Sequence, residues 1–218
     1  MPSNSYATFL HIRSDVVKLM ETHRFYVANR RGRKRLGHLT RSAVIMLCAA
    51  WERYNEDLLL ESISYLCGVS NDINSLNKQI KKTISAKVVN DKNEIKAIEL
   101  AGDGWKLVWK GYAKLEMASF NTPKSSGLKK LFNSYLGIPD YIALWKTNAG
   151  DIDSFVSTRG DVAHNGNTAR YITLDKLTEY LDLINKNVIE IDSRMAMELQ
   201  KISGMPALPW TKKDIMTN

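Results

Sequence analysis

Cysteine is nearly missing from this 218-residue chain: Cys48 and Cys67 are the only two. Both fall in one apolar stretch, which excludes a disulfide framework or a cysteine zinc site and leaves them most simply as buried thiols. Histidine is scarce too. None of His11, His23, His38 and His164 has a Cys or His neighbour at a metal-ligand interval, so no metal is expected. No glycine loop ends in Gly-Lys-Ser/Thr, and neither a dinucleotide fingerprint nor a His-Glu-x-x-His element occurs. No cofactor is therefore expected. No apolar run reaches the ~18 residues that a membrane span needs. The start, Met1-Pro2-Ser3-Asn4-Ser5-Tyr6, lacks the basic and apolar regions of a signal peptide. These absences predict a cytoplasmic protein with no membrane association. Internal repeats and Gly/Ser-rich linkers are missing as well, which predicts one domain over residues 1–203 and a tail over 204–218 that carries Pro206 and Pro209.

What is present is an ordinary globular composition, 44% hydrophobic and 25% charged, with its charge unevenly placed. Residues 1–41 hold nine Lys/Arg against two Asp/Glu, a net of +7 out of the chain's +8. Most of the excess is Arg30, Arg31, Arg33, Lys34 and Arg35. Such a run attracts phosphate by counterion release and is a candidate RNA-binding element, or else a solvated loop that aids solubility.

Helical spacing dominates. Phe9, Ile12, Val16, Leu19 and Met20 mark one face of a first helix that fades at Gly32 and Gly37. Val44, Leu47, Trp51, Tyr54 and Leu58 mark a second over 40–67, with Thr40 as its cap and Gly68 as its stop. Residues 71–101 are more polar and predict one or two short helices broken near Asn90-Asp91. After the Gly102-Asp103-Gly104 turn signal, Trp105 to Trp109 fits helix or strand equally. Three further helices follow: through Leu128 to Leu136, from Ala149 to His164 with Asn165-Gly166 closing it, and from 174 to 202. The fold class is all-α: a bundle of long antiparallel helices with an irregular insertion around residues 100–125.

Chemistry concentrates at the end of the Ala149–His164 helix. Arg159 and His164 stand five residues apart, roughly 140° around a helix axis, where two long side chains can converge on one flank. Peptide dipoles at a helix C-terminus favour a protonated imidazole, and arginine is a permanent planar cation matched to phosphate oxygens. A proton-transfer group beside an anion stabiliser is a minimal kit for cutting a phosphodiester without metal. Arg33 and His38 repeat the spacing, as do Arg31 and His38 at a longer interval, but they sit in a glycine-broken run without an apolar stripe. Trp105, Trp109 and Tyr112 fit base-stacking, although aromatics spaced four and three apart are more often core.

The Arg-x4-His element is similar to the R-x4–6-H signature of the HEPN superfamily of α-helical ribonucleases and RNA-binding proteins. Arg41 to Tyr54, with Ala49-Ala50-Trp51-Glu52-Arg53-Tyr54 at its end, resembles the apolar helix ending in A-x-W-E-x-Y of the RiboL-PSP-type branch. Asn121-Thr122-Pro123 through Leu131 to Ile138 resembles that branch's segment before the motif helix. The resemblance spans most of residues 5–200. It implies a helical bundle that homodimerises so that two motifs share a cleft, and metal-independent RNA cleavage in toxin–antitoxin, phage-defence or RNA-processing settings. It implies Arg159 and His164 as the catalytic pair, with RNA and an antitoxin or other regulatory protein as partners. Active members often carry Asn or Asp directly after the arginine. Gly160 stands there, and Asp161 one place later is a candidate substitute. Glu52 is a candidate to face the cleft, or an exposed charge or salt-bridge partner. A member that binds RNA or a partner protein without cutting is the alternative reading.

Overall fold

The computed structural model describes residues 1–28, 36–169 and 171–211, without the side chain of Asn167. The basic run from Arg30 to Arg35, including Arg31, Arg33 and Lys34, lies outside the described residues, as do residues 212–218.

Among the described residues the chain forms seven α-helices and no strand: α1 (Asn4–Ala28), α2 (Gly37–Val69), α3 (Lys78–Val89), α4 (Gly104–Ala118), α5 (Ser125–Leu136), α6 (Ala149–Asn165) and α7 (Leu174–Ser203). The architecture is the all-α bundle that the periodicity predicts. α2 is its axis, because Val44, Leu47, Trp51, Tyr54 and Leu58 recur every three or four residues and all are fully buried. α1 packs antiparallel against it, with Glu61 of α2 receiving the amides of Asn4 and Ser5 at 2.9 Å each, so that a carboxylate meets the positive end of α1. α7 runs parallel to α2: Tyr54 donates to the Val188 carbonyl at 3.3 Å, and the Tyr65 and Ser203 hydroxyls meet further along.

Three local outcomes differ from, or resolve, the sequence reading. Thr40 does not cap α2. The helix begins at Gly37, and the buried Thr40 hydroxyl donates back to the Gly37 carbonyl at 3.2 Å, as a threonine inside a helix does. Trp105 to Trp109 is helix, because Trp105, Val108, Trp109, Tyr112 and Ala113 form one buried stripe of α4. The three aromatics there are core, and Trp109 donates to the Tyr135 carbonyl at 3.1 Å. The irregular backbone of that region lies to either side, in residues 90–103 and 119–124. Residues 204–211 of the segment read as a tail fold back onto the bundle. Trp210 is buried and donates to the Asp192 carbonyl at 2.8 Å, and Thr211 pairs with Met1.

Candidate active site

The site is assembled where α6 crosses α2. Asn148 opens α6 by accepting the Gly150 amide at 2.7 Å. Gly166 closes it at φ +52°, a left-handed conformation that glycine adopts without the strain a Cβ brings. Three ties fix the helix. Asn187 of α7 accepts the amides of Lys146 and Thr147 just before α6, and Phe155 packs against Tyr180 with ring centres 5.0 Å apart. On the opposite flank, Asp153 accepts both the amide and the hydroxyl of Ser125, at 2.7 and 2.6 Å, and so ties α6 to the start of α5.

Arg159 is held by three groups from distant parts of the chain. Its Nε donates to the Cys48 sulfur at 3.4 Å, and its Nη2 donates to Glu52 at 3.3 Å and to the Asn121 carbonyl at 3.2 Å. Cys48 and Glu52 are one helical turn apart on the same face of α2. Asn121 is brought in because the buried Trp51 indole donates to the Pro123 carbonyl at 3.0 Å and anchors residues 119–124 against α2. Nη1 has no hydrogen bond among the described residues, and the side chain keeps 26% of its surface in solvent. The hydrogen bond with Cys48 and the charge of Glu52 hold the guanidinium more firmly protonated than usual. Burial pushes the Cys48 thiol up, only partly opposed by Arg159, and burial likewise raises the Glu52 carboxyl against the pull of Arg159. The result is an oriented cation with one open edge.

The other expected residues divide. Glu52 is the salt-bridge partner of Arg159, one of the roles open to it from sequence. His164 lies in the last turn of α6, exposed and without a hydrogen bond among the described residues. Five residues from Arg159, it is displaced roughly 7.5 Å along the axis. No hydrogen bond joins the two among the described residues. Asp161 is exposed and accepts from Asn165 at 2.6 Å, away from Arg159. A Cβ on Gly160 meets nothing within 4 Å, so close backbone approach within the chain is not why glycine stands there.

Cys48 and the Asn121 carbonyl were not anticipated. The spacing of four between Cys48 and Glu52 is a legible signal for the first; a backbone carbonyl leaves none. Among the described residues, no group of three or more His, Cys, Asp or Glu is placed to hold a metal ion, and no helix is long and apolar enough to cross a membrane.

The family described as RiboL-PSP-HEPN matches residues 14–196, a span that includes every residue of this site. Neither the curated proteins nor the solved structures give a match.

Proposed function

Since the chain belongs to the RiboL-PSP-HEPN family, whose members point to a ribonuclease or RNA-binding role, we propose that it is a metal-independent endoribonuclease. Arg159 and His164 form its catalytic pair, and two copies complete the cleft. The observation that carries this reading is the oriented guanidinium of Arg159, open at Nη1, on the same helix end as an exposed histidine.

The chemistry follows from those two groups. A base takes the proton of the ribose 2′-hydroxyl, the 2′-oxygen attacks phosphorus, and the P–O5′ bond breaks. An acid protonates the departing 5′-oxygen, leaving a 2′,3′-cyclic phosphate and a 5′-hydroxyl. Arg159 stabilises the charge that builds on the non-bridging oxygens. One chain supplies a single motif histidine, whereas acid and base are two roles. An isologous dimer apposes the same surface of two copies and supplies the second His164. A toxin or phage-defence role, checked by a regulatory partner, fits such an activity.

The test is incubation of the purified chain with a mixed RNA pool, with and without EDTA. Cleavage that survives EDTA, ends in cyclic phosphate, weakens per chain on dilution and vanishes in a folded His164→Ala variant supports the proposal. Cleavage lost in EDTA and restored by magnesium overturns it. One observation favours a second reading, a module that binds RNA or a regulatory protein without cutting: Glu52 already neutralises Arg159 at 3.3 Å and competes with a phosphate for it. Tight RNA binding with no cleavage under either condition selects that reading.

A further inference from the structure

A lysine-lined groove leads across α3, α4 and α5 toward Arg159. Its outer part is a concavity of about 860 Å³ between α3 and α4, bordered by Lys82, Lys87 and Lys92 over an apolar floor that includes Tyr112 and Leu115. A second concavity of about 380 Å³, with Lys130 on its wall, shares Thr83, Lys87 and Glu116 with the first, so the two lie side by side with the Lys87–Glu116 ion pair between them. Phe120 lines this second hollow and also a third, of about 320 Å³, whose wall includes Asn121 and Glu52, the partners of Arg159.

Charge along the first two hollows is predominantly positive. α3 carries four lysines and no acidic residue. Of the two acids that face the groove, Glu116 is paired with Lys87 at 2.5 Å, while Asp91 accepts from the Tyr112 hydroxyl at 2.5 Å and keeps its charge. Lys82, Lys92 and Lys130 are exposed and form no salt bridge among the described residues. Beyond Phe120 the lysine-rich character is lost: the third hollow is lined by Arg53 and Lys114 as well as Glu56 and Asp57, and Arg53 holds Asp57 at 2.9 Å. Asn121, next to Phe120, brings the path to the site, since its carbonyl is 3.2 Å from Arg159 Nη2. Phe120, half-buried, stands at that end. Its ring rests on Gly127, where a Cβ would come within 2.9 Å of it, so the glycine makes room for the ring in this position.

We infer that this groove is the track of a single RNA strand, with Lys82, Lys92 and Lys130 on its phosphates and the Phe120 ring stacking a base beside Arg159. The inference rests on the RNA-directed reading above and adds the path by which the strand reaches the site. Lysine rims over an apolar floor with an aromatic platform suit single-stranded nucleic acid, because phosphates and base faces are held by different groups.

The experiment follows anisotropy of a fluorescein-labelled, fully 2′-O-methylated RNA of about 20 nucleotides, across about 50–400 mM KCl, with the full chain. That strand lacks the attacking hydroxyl, so binding is read whether or not the chain cleaves. The Lys82→Gln/Lys92→Gln/Lys130→Gln variant should lose three phosphate contacts. At about 0.7 per contact for single strands, its log–log salt slope becomes shallower by about 2, and affinity at 0.1 M salt drops on the order of 100-fold. Phe120→Leu keeps apolar bulk but removes the flat face, and should weaken binding about tenfold without changing the slope. Melting curves that match the native chain exclude unfolding as the cause. An unchanged slope and affinity in the lysine variant, or no binding by the native chain, overturns the groove. Native-like binding losses in a chain that leaves unmodified RNA intact uphold the groove while refuting the nuclease reading.

Discussion

Replacing Gly160 with alanine should make the chain more stable, although the residue follows directly on the proposed catalytic arginine. Gly160 lies inside α6, five residues before its end, and its φ is not in the left-handed region. Glycine at such a position costs about 1 kcal/mol relative to alanine, through the conformational freedom that the unfolded chain loses. The space a Cβ enters is empty to 4 Å, so no clash offsets that gain. In a chain of this size about 1 kcal/mol corresponds to a rise of about 2–4 °C in Tm, which calorimetry or circular dichroism at the helical band resolves. Asparagine there gains less stability, being a poorer helix former than alanine, but it puts an amide beside Arg159 where the HEPN resemblance implies a polar residue. At equal folded fraction, Gly160→Asn should therefore cut RNA faster than Gly160→Ala. A Gly160→Ala chain that melts at or below the native temperature refutes the reasoning, because something outside the single chain must then occupy that space.

Three more outcomes are expected. Burial pushes the Asp192 carboxyl up to about 6 despite two hydrogen bonds from Ser3, so between about pH 4 and 6 the folded chain binds more protons than the unfolded one and its stability falls as pH rises. Two pK units correspond to about 3 kcal/mol; Asp192→Asn should remove that fall, and parallel Tm-against-pH curves for the two chains would count against it. Burial raises both cysteine thiols, so iodoacetamide at neutral pH should modify Cys48 and Cys67 only after denaturant is added, with fast labelling of the native chain as the contrary result. Neutralising Arg30, Arg31, Arg33, Lys34 and Arg35 should weaken RNA binding and flatten its salt dependence while moving Tm little; unchanged binding returns the run to a solubility role.

The long helices were legible because each has one face that must leave water. The spacing of Val44, Leu47, Trp51, Tyr54 and Leu58 states where the core lies relative to α2 before any partner is known. The end of α6 was legible for a different reason: Asn165-Gly166 supplies the residue that can take φ +52°. The Trp105–Trp109 stretch was not, since five residues cannot separate a helical from an alternating period; the decision needs Tyr112, Ala113 and Met117, which continue the buried stripe of α4. Thr40 misled because threonine's hydroxyl satisfies a backbone group equally well before a helix or inside it, and the choice depends on packing that periodicity does not report.

The site was half legible for a similar reason. Arg159 and His164 are marked as candidates by spacing, helix-end context and the family resemblance together, but what orients Arg159 is tertiary: a thiol, a carboxylate and a main-chain carbonyl separated by up to 111 residues from it. Trp51 and Glu52 show how fold and site are joined. They are consecutive, so they point about 100° apart on α2. Trp51 is fully buried, packs edge-on against Trp145 at 5.4 Å and holds the Pro123 carbonyl; Glu52, on the partly open side, holds Arg159. The same Trp51 hydrogen bond anchors the strand of chain that delivers the Asn121 carbonyl. All three ties on the guanidinium thus depend on one register of one helix. A change at Trp51 that keeps the bundle folded still loosens Arg159, because the segment bearing Asn121 loses the Trp51 hydrogen bond while Cys48 and Glu52 stay in place.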